Sequence, residues 1–267
     1  MQGVMLASFL VSLVILSFWL FTQRRWWMTE LASVHGIAID RVFSITLVIA
    51  GVLFVLLQLV LAFLVVKFRE RAERKAQYWV KPRLEKRFAL YAGIVIFSVD
   101  ITLFVLGDSE WFKAWGVAPD DAVIVEATSE QFAWNFRYPG GDGVFGKTDP
   151  LLISTANTLG IDSADKASAD DVLSINQLHL PEGRPVKLRL RSKDVIHSFF
   201  LPNLRVKQDT VPGMQIDIWF IPAKSGQFEI ACNQLCGLGH YRMRAFLTIE
   251  SSEAFNNWLS GMAQGGK

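Results

Sequence analysis

The sequence is poor in residues that bind metals or attach cofactors, with only two cysteines and four histidines among 267 residues. No C-x-x-C-H motif follows the cysteines, which excludes a covalently attached c-type heme. The charges nearly balance, at 27 Lys and Arg against 25 Asp and Glu, and we expect no nucleic-acid partner. Any metal chemistry must therefore come from a few side chains.

Charge is missing from one long stretch. Val42–Val66 has 25 residues without a charged side chain, enough for a helix to cross the hydrocarbon core of a bilayer. Phe88–Gly107 is a second span, interrupted only by Asp100. At 51% hydrophobic residues, the composition also exceeds what a soluble domain needs. We therefore predict a transmembrane helical hairpin at residues 42–107, in contact with membrane lipid.

The segment between the two spans sets their orientation. Residues 67–87 hold nine Lys and Arg against three Glu, and the positive-inside rule places such a loop in the cytoplasm. The second helix then returns outward and delivers residues 108–267 to the external face. That part has 15 basic and 19 acidic residues. A mildly acidic external domain would attract a basic redox donor. An excess of acidic residues is, however, more often found on a solvated surface that binds no partner.

The first 41 residues contain a further apolar segment. Gly3–Phe21 lacks the basic start and the small-residue cleavage site of a secretory signal, which favours a third, retained helix. Arg24 and Arg25 would then lie outside. A cleaved signal and a segment lying on the membrane surface are the alternatives.

The external part has the alternation of β-strands. In Phe132–Tyr138, aromatic side chains take every second place. Further strands are expected at Val123–Ala127, Val186–Leu190, Gln215–Ile221, Gln227–Cys232 and Arg244–Glu250. Short strands separated by Pro and Gly turns indicate a sandwich or barrel. We expect a loop or insertion at about 139–171, flexible or used for docking, and a C-terminal amphipathic helix capped by Ser251 or Ser252.

The densest group of potential metal ligands lies in Ala231–Met243, which reads A-C-N-Q-L-C-G-L-G-H-Y-R-M. It contains Cys232, Cys236, His240 and Met243. Thiolate, thioether and imidazole together favour copper. The alternatives are a disulfide, which has no use for the histidine, and a tetrahedral zinc site, which has none for the methionine. Two thiolates could bridge two copper ions, and the missing second imidazole could come from His197, in K-D-V-I-H-S-F-F-L-P.

These two motifs, K-D-V-I-H-S-F with the following V-K-x-D-x-V-P-G, and C-x-x-x-C-G-x-x-H-x-x-M, closely resemble those of subunit II of heme-copper cytochrome oxidases. The resemblance extends from about Val42 to Trp258 and implies a cupredoxin-like fold carrying a binuclear copper centre, CuA. It implies the following ligands: His197, Cys232, Cys236, His240, Met243 and the backbone carbonyl of Gln234.

The resemblance also implies a function. A c-type cytochrome, or a respiratory complex that bears one, would donate electrons to CuA. The electrons would pass to heme and CuB in subunit I, where dioxygen is reduced to water with proton translocation. The chain would then be the electron-accepting, multi-pass subunit of this oxidoreductase, assembled with other oxidase subunits in a bacterial inner membrane, with the copper domain on the periplasmic face.

Two positions depart from the family pattern. Many members have Glu where this chain has the neutral Gln234, which puts the magnesium site at the interface with subunit I in doubt. Many also have Trp at the point where electrons enter, where this chain has Phe132, with Trp134 two residues further on. We take both aromatic residues as candidates for that point, and the donor or its route could differ.

The remaining polar residues receive their own interpretations. Glu85 matches an acidic residue at the mouth of a proton path, with an interfacial ion pair as the alternative. Asp100 is costly in lipid and should face protein or water. Asp194 and Asp209 are expected to orient the His197 loop, with a place at the interface to the partner heme as the alternative for Asp209. His179 is expected to be structural, and His35 precedes the first span.

Three other functions share parts of this pattern. A small subunit of a CuA-containing nitric oxide reductase would have the same ligands and a different partner. A quinol oxidase subunit II would have lost the ligands. A membrane-tethered copper carrier would favour exposed Met or His clusters over a buried dithiolate loop.

Overall fold

The structure, a computed structural model, describes residues 2–23, 28–70 and 81–265. Arg24, Arg25 and the middle of the basic loop, residues 71–80, lie outside this range. The described chain contains four α-helices and ten β-strands. It divides into two compact units, one containing Asp40–Ser109 and the N-terminal residues up to Met28, the other containing Thr29–Ile39 and the chain from Glu110 onward.

Three helices are long and apolar enough to cross a membrane. They are α1 (Gln2–Thr22), α2 (Val34–Lys67) and α3 (Pro82–Ala114). The last two extend beyond the predicted spans, because charged residues at the water-facing ends of an apolar segment do not stop a helix. The fold class is thus confirmed, with three helices ahead of the β-domain.

The beginning of α1 comes close to the end of α2. A methyl group placed on Gly3 would lie 3.5 Å from the carbonyl oxygen of Val65 and 3.3 Å from Cβ of Arg69. Ala7 and Ala62 are the buried alanines of these helices. The absence of a side chain at Gly3 permits this approach, a common feature between helices in lipid.

The β-domain is a sandwich of two five-stranded sheets. The strands are β1 (Val123–Glu130), β2 (Ala133–Tyr138), β3 (Val172–Ile175), β4 (Gln177–Pro181), β5 (Val186–Ser192), β6 (His197–Leu201), β7 (Val206–Thr210), β8 (Ile216–Phe220), β9 (Gly226–Cys232) and β10 (Arg244–Glu250). One sheet has the order β3-β2-β1-β5-β8 and the other β4-β10-β9-β6-β7. Strands β1 and β5 are parallel, as are β10 and β4; the other pairs are antiparallel.

Inward-facing residues of both sheets form one core. On β2, Trp134, Phe136 and Tyr138 are fully buried, as the alternating aromatic pattern indicates. Trp134 meets Phe199 of β6 edge to face, with ring centroids 5.2 Å apart. The core therefore joins the two sheets directly beneath the strand that begins at His197.

The segment 139–171 covers the outer face of the first sheet. It contains two short 3-10 turns, Pro150–Leu152 and Lys166–Ala169. Beneath it lies Arg137, which is buried, pairs with Asp171 and donates a hydrogen bond of 2.6 Å to the carbonyl of Gly146. A buried guanidinium requires such partners, and they fix the segment to the sheet.

The C-terminal helix α4 (Ser252–Gly265) closes one end of the sandwich. The hydroxyl of Ser251 accepts the backbone N–H of Ala254 at 3.2 Å, which caps the helix. Phe255 is buried against the core, and the indole of Trp258 stacks on the ring of His179 with centroids 4.0 Å apart.

Candidate metal centre

Strand β9 ends at Cys232 and β10 begins at Arg244, and the connecting loop holds most of the candidate ligands. The loop folds tightly, with a short 3-10 turn at His240–Arg242 and Gly237 at φ +136°. A side chain at Gly237 would also approach the Gln131 amide nitrogen to 2.7 Å, so this position requires glycine.

His197 reaches the same loop from the neighbouring strand. It is the first residue of β6, whose Phe199 pairs with Cys232 of β9. The backbone N–H of Asn233 donates to the carbonyl of Ser198 at 3.0 Å. The sequence pattern placed His197 in a loop after β5; instead it opens a strand of its own, and sheet pairing fixes its distance from the cysteines.

The candidate ligands converge on the two sulfurs. The Sγ atoms of Cys232 and Cys236 lie 3.8 Å apart. Cys232 Sγ is 3.9 Å from Nδ1 of His197 and 3.2 Å from the Gln234 carbonyl oxygen. Cys236 Sγ is 3.6 Å from Nδ1 of His240 and 3.7 Å from Sδ of Met243. Each sulfur therefore has one imidazole and one weaker donor beside it.

Most of the candidate ligands are buried, and the thiols are free. His197, Cys232, Cys236 and Met243 are buried, and neither cysteine is in a disulfide. Among the His, Cys and acidic side chains of the described residues, one group could hold a metal ion. It consists of His197, Cys232 and Cys236, whose ligand atoms all lie within 4.8 Å of one another. The disulfide alternative thus does not describe this structure.

The two thiols differ in their protonation. Burial alone would raise the pKa of Cys232, but hydrogen bonds from His197 and neighbouring backbone groups outweigh it and lower this pKa to about 6. Burial, and then the negative charge on Cys232, raise the pKa of Cys236 to about 11. Without a metal, the pair therefore holds one thiolate and one thiol at neutral pH.

Asp194 orients His197 from the side away from the sulfurs. Its Oδ1 lies 2.8 Å from Nε2 of His197, and its Oδ2 accepts the backbone N–H of Gln131 at 2.7 Å. Burial opposes ionisation of this carboxyl, but these hydrogen bonds prevail and lower the pKa of Asp194. Burial likewise opposes charge on the imidazole, yet the bonds to Cys232 and Asp194 raise the pKa of His197.

Gln131 is a site residue that sequence reasoning missed. Its side-chain amide donates to the Cys236 carbonyl at 2.5 Å, so it joins the β1–β2 turn to the ligand loop. The one available signal was its place directly before the aromatic pattern. Together with Asp194, it links the turn, the histidine and a cysteine.

The two aromatic candidates for electron transfer lie in different places. Phe132 precedes β2, in the turn, and is partly buried. A side chain at Gly239 would come within 2.5 Å of its ring, so the ring packs on the ligand loop. Trp134 is fully buried, with its ring centroid 6.3 Å from that of His197. A donor could touch Phe132, whereas Trp134 lies inside the core.

The other singled-out residues have contacts of their own. In the membrane unit, Glu85 accepts the backbone N–H of Lys81 at 3.2 Å in the first turn of α3. In the β-domain, Asp209 is partly exposed on β7, 3.5 Å from Nζ of Lys207. His179 bonds to Glu250 at 2.9 Å through Nδ1 and stacks on Trp258, which fits the predicted structural role.

Fold and site together define a membrane-anchored, cupredoxin-like domain with a buried pair of cysteines beside two histidines. The family described as "Cytochrome C oxidase subunit II, periplasmic domain" matches residues 123–250. The alternative cytochrome c oxidase subunit 2 of Bradyrhizobium diazoefficiens is 36% identical over 260 residues, 97% of this chain and 91% of that protein. The cytochrome c oxidase subunit 2 of Synechocystis sp. is 26% identical over 287 residues, 95% and 80% of the two chains.

Among solved structures, the periplasmic domain of subunit II of a Bradyrhizobium japonicum cytochrome oxidase matches with a TM-score of 0.42 and 26% identity. The match covers 56% of this chain and 99% of that one. On the sequence comparisons, the chain belongs to the cytochrome c oxidase subunit II family. It is thus a membrane protein with an external domain, in an oxidoreductase context.

Proposed function

We propose that this chain accepts single electrons from a c-type cytochrome, or from a complex that bears one, and delivers them to heme in subunit I. There, with CuB, dioxygen would be reduced to water with proton translocation. The observation that carries this proposal is the paired donor set, in which two buried sulfurs 3.8 Å apart each have an imidazole beside them.

The donor set fits a pair of copper ions. A single tetrahedral zinc would use two cysteines and two histidines and leave Met243 and the Gln234 carbonyl without a role. Both of these lie against a cysteine sulfur, at 3.7 and 3.2 Å. Sulfur-rich, soft donors with imidazole are those that copper favours.

We infer that His197, Cys232, Cys236, His240, Met243 and the Gln234 carbonyl would hold two copper ions as CuA. When bound there, such a copper pair would supply reversible one-electron transfer. The chain's own residues hold the donors in place: Asp194 holds the His197 ring, and Gln131 holds the loop at Cys236. A fixed donor set lowers the rearrangement that accompanies a change of charge.

The surroundings of the site support contact with other proteins. The loop exposes Leu235, Leu238 and Tyr241, whose side chains are 78%, 97% and 86% exposed. Large apolar side chains grouped at the surface commonly mark interaction sites. We assign this surface to oxidase partners, and Phe132, rather than the buried Trp134, to the point where electrons enter.

We further propose a division of labour along the chain. Residues 42–107, with the helix in 1–41, would anchor the subunit in a bacterial inner membrane, and residues 108–267 would carry the copper centre outside. Glu85 would stand at the mouth of a proton path. Gln234 offers a neutral oxygen where an anionic one would bind magnesium best, so a weak or absent magnesium site is expected.

Metal analysis of the complex purified with this chain tests the proposal. We expect two copper ions bound by this chain in addition to the CuB of subunit I, and a purple mixed-valence absorption. Cys236→Ser should remove these two ions and the absorption and leave the remaining copper. Zinc in place of copper, or a linked cysteine pair, would contradict it. The large subunit that copurifies, assayed with dioxygen and with nitric oxide, decides between an oxidase and a nitric oxide reductase.

A further inference from the structure

A pair of buried hydroxyl groups lies behind the candidate metal centre. The side-chain oxygens of Ser129, near the end of β1, and Thr210, at the end of β7, are 2.7 Å apart, and both residues are fully buried. Ser129 donates its own proton to the Arg191 carbonyl at 3.1 Å, so Thr210 is the donor between the two hydroxyls. Strand β1 belongs to one sheet and β7 to the other. This hydrogen bond therefore crosses the sandwich.

The candidate ligands and the groups that orient them come from different sheets. His197 opens β6, and the two cysteines lie at the end of β9 and in the loop after it, all in the second sheet. The carboxylate that holds the His197 ring belongs to Asp194, which follows β5 of the first sheet. The N–H that fixes this carboxylate belongs to Gln131, in the turn after β1. The position of the imidazole therefore depends on the spacing between the two sheets at this end.

The two members of the hydroxyl pair adjoin the two sides of this spacing. Thr210 is the direct cross-strand partner of His197, so the two buried side chains lie on the same face of the sheet. The carbonyl of Ser129 accepts the backbone N–H of Lys193 at 3.0 Å, one residue before Asp194. One hydroxyl thus stands beside the ligand strand and the other beside the loop that carries its carboxylate partner.

Burial makes the spacing costly to change. Because both hydroxyls are shielded from solvent, a separation of β1 from β7 would leave the Thr210 donor without a partner. Replacing Thr210 with valine removes that donor and keeps the shape of the side chain. Ser129 would then keep its bond to the Arg191 carbonyl. The chain therefore offers a substitution that releases the contact between the sheets without creating an unpaired donor.

We propose that Ser129 and Thr210 are positioning residues for the metal centre. Their hydrogen bond sets the spacing at which Asp194 holds the His197 ring toward the cysteine sulfurs. This inference rests on the proposed function, because it concerns the copper pair that the ligands would hold. Neither hydroxyl contacts the metal in this arrangement; both act through the histidine.

Electron–nuclear double resonance of the complex purified with this chain tests the inference, because it resolves the coupling of the unpaired electron to each imidazole nitrogen. Thr210→Val should shift the coupling of one of the two imidazole nitrogens and leave the other unchanged, since His240 comes from the β9–β10 loop and not from β6. The two copper ions should remain bound. Thr210→Ser, which keeps the hydroxyl, should give the couplings of the unaltered chain.

Two further variants complete the series. Ser129→Ala removes the other hydroxyl and should shift the same nitrogen coupling. Thr128→Val is the matched control, because it makes the same Thr-to-Val change one residue earlier, on the opposite face of β1. It should leave both couplings unaltered.

A double variant separates positioning from stability. If the hydroxyl pair acts through the carboxylate, adding Thr210→Val to Asp194→Asn should cause no further shift, whereas independent effects would add. A full additional shift would overturn the inference. So would unchanged couplings in both Thr210→Val and Ser129→Ala, even with a lowered unfolding stability, since the pair would then serve the fold alone. Failure of the proposed function is distinguishable, because the unaltered chain itself would then lack the two-copper signal.

Discussion

The β-domain holds two histidines in closely similar settings at different places in the fold. His197 lies 2.8 Å from the carboxylate of Asp194, and His179 lies 2.9 Å from that of Glu250. Each also meets a tryptophan, Trp134 edge-on and Trp258 face-on. The difference is what the second side of each ring faces: Nδ1 of His197 points to a cysteine sulfur, whereas His179 stacks flat on an indole.

This comparison shows that a carboxylate partner does not by itself mark a metal-binding histidine. At His197 the carboxylate fixes the ring so that the opposite nitrogen is directed at the dithiolate, the arrangement typical of metal ligands. At His179 the same kind of bond, together with the stacked Trp258, secures helix α4 to the sandwich. We therefore propose that His197 serves the metal centre and that His179 serves stability.

Replacing His197 and His179 one at a time should give the largest difference between the metal-binding and the structural histidine. His197→Ala should abolish the mixed-valence copper absorption of the purified complex, because one imidazole of the pair is lost. His179→Ala should leave copper content and absorption unchanged. Loss of copper in both variants, with both proteins folded by circular dichroism, would show that the distinction is wrong.

The carboxylate partners should show a smaller contrast. Asp194→Asn should weaken copper binding by about 10–100-fold, since the residue orients a ligand without being one. Glu250→Gln, the matched change at the other histidine, should not alter it. Competition against a copper chelator in detergent-solubilised protein measures both affinities. If Asp194→Asn bound copper as tightly as the unaltered chain, Asp194 would not be needed to orient His197.

The stacked end of the domain should respond in stability instead. Trp258→Ala removes the ring on His179 and should lower the free energy of unfolding of the external domain by about 1–3 kcal/mol. Chemical denaturation followed by circular dichroism measures this change. The copper absorption of the folded variant should match that of the unaltered chain. A changed absorption would contradict this prediction, because it would show that the Trp258–His179 stack affects the copper site.

The thiols of the metal-free protein should titrate in separate steps. Cys232 has a lowered pKa of about 6 and Cys236 a raised one of about 11, so one thiolate is expected between these pH values. A metal that needs both thiolates then releases a proton on binding, and its apparent affinity should rise about tenfold per pH unit within this window. Thiolate absorbance against pH measures the steps; a single joint ionisation near pH 9 would contradict them.

The side-chain donors could be proposed from sequence because they lie at short spacings within one loop and in one further motif. The full ligand set, with the Gln234 carbonyl, depended on the resemblance of these motifs to a known family. The strand that begins at His197 was missed, since five residues that follow a loop give little periodicity. Arg137 illustrates a second limit. It alternates with aromatic residues and so suggests a solvent-facing position, yet the segment that carries Asp171 covers it. Burial by a distant segment leaves no local pattern in a sequence.

The most direct test of the shared dithiolate centre is the electron paramagnetic resonance spectrum of the oxidised complex purified with this chain. We predict a single unpaired electron delocalised over two equivalent copper nuclei, with hyperfine splitting from both, and its disappearance in Cys232→Ser. Splitting from one copper nucleus, or a silent spectrum with zinc in the site, would contradict the account.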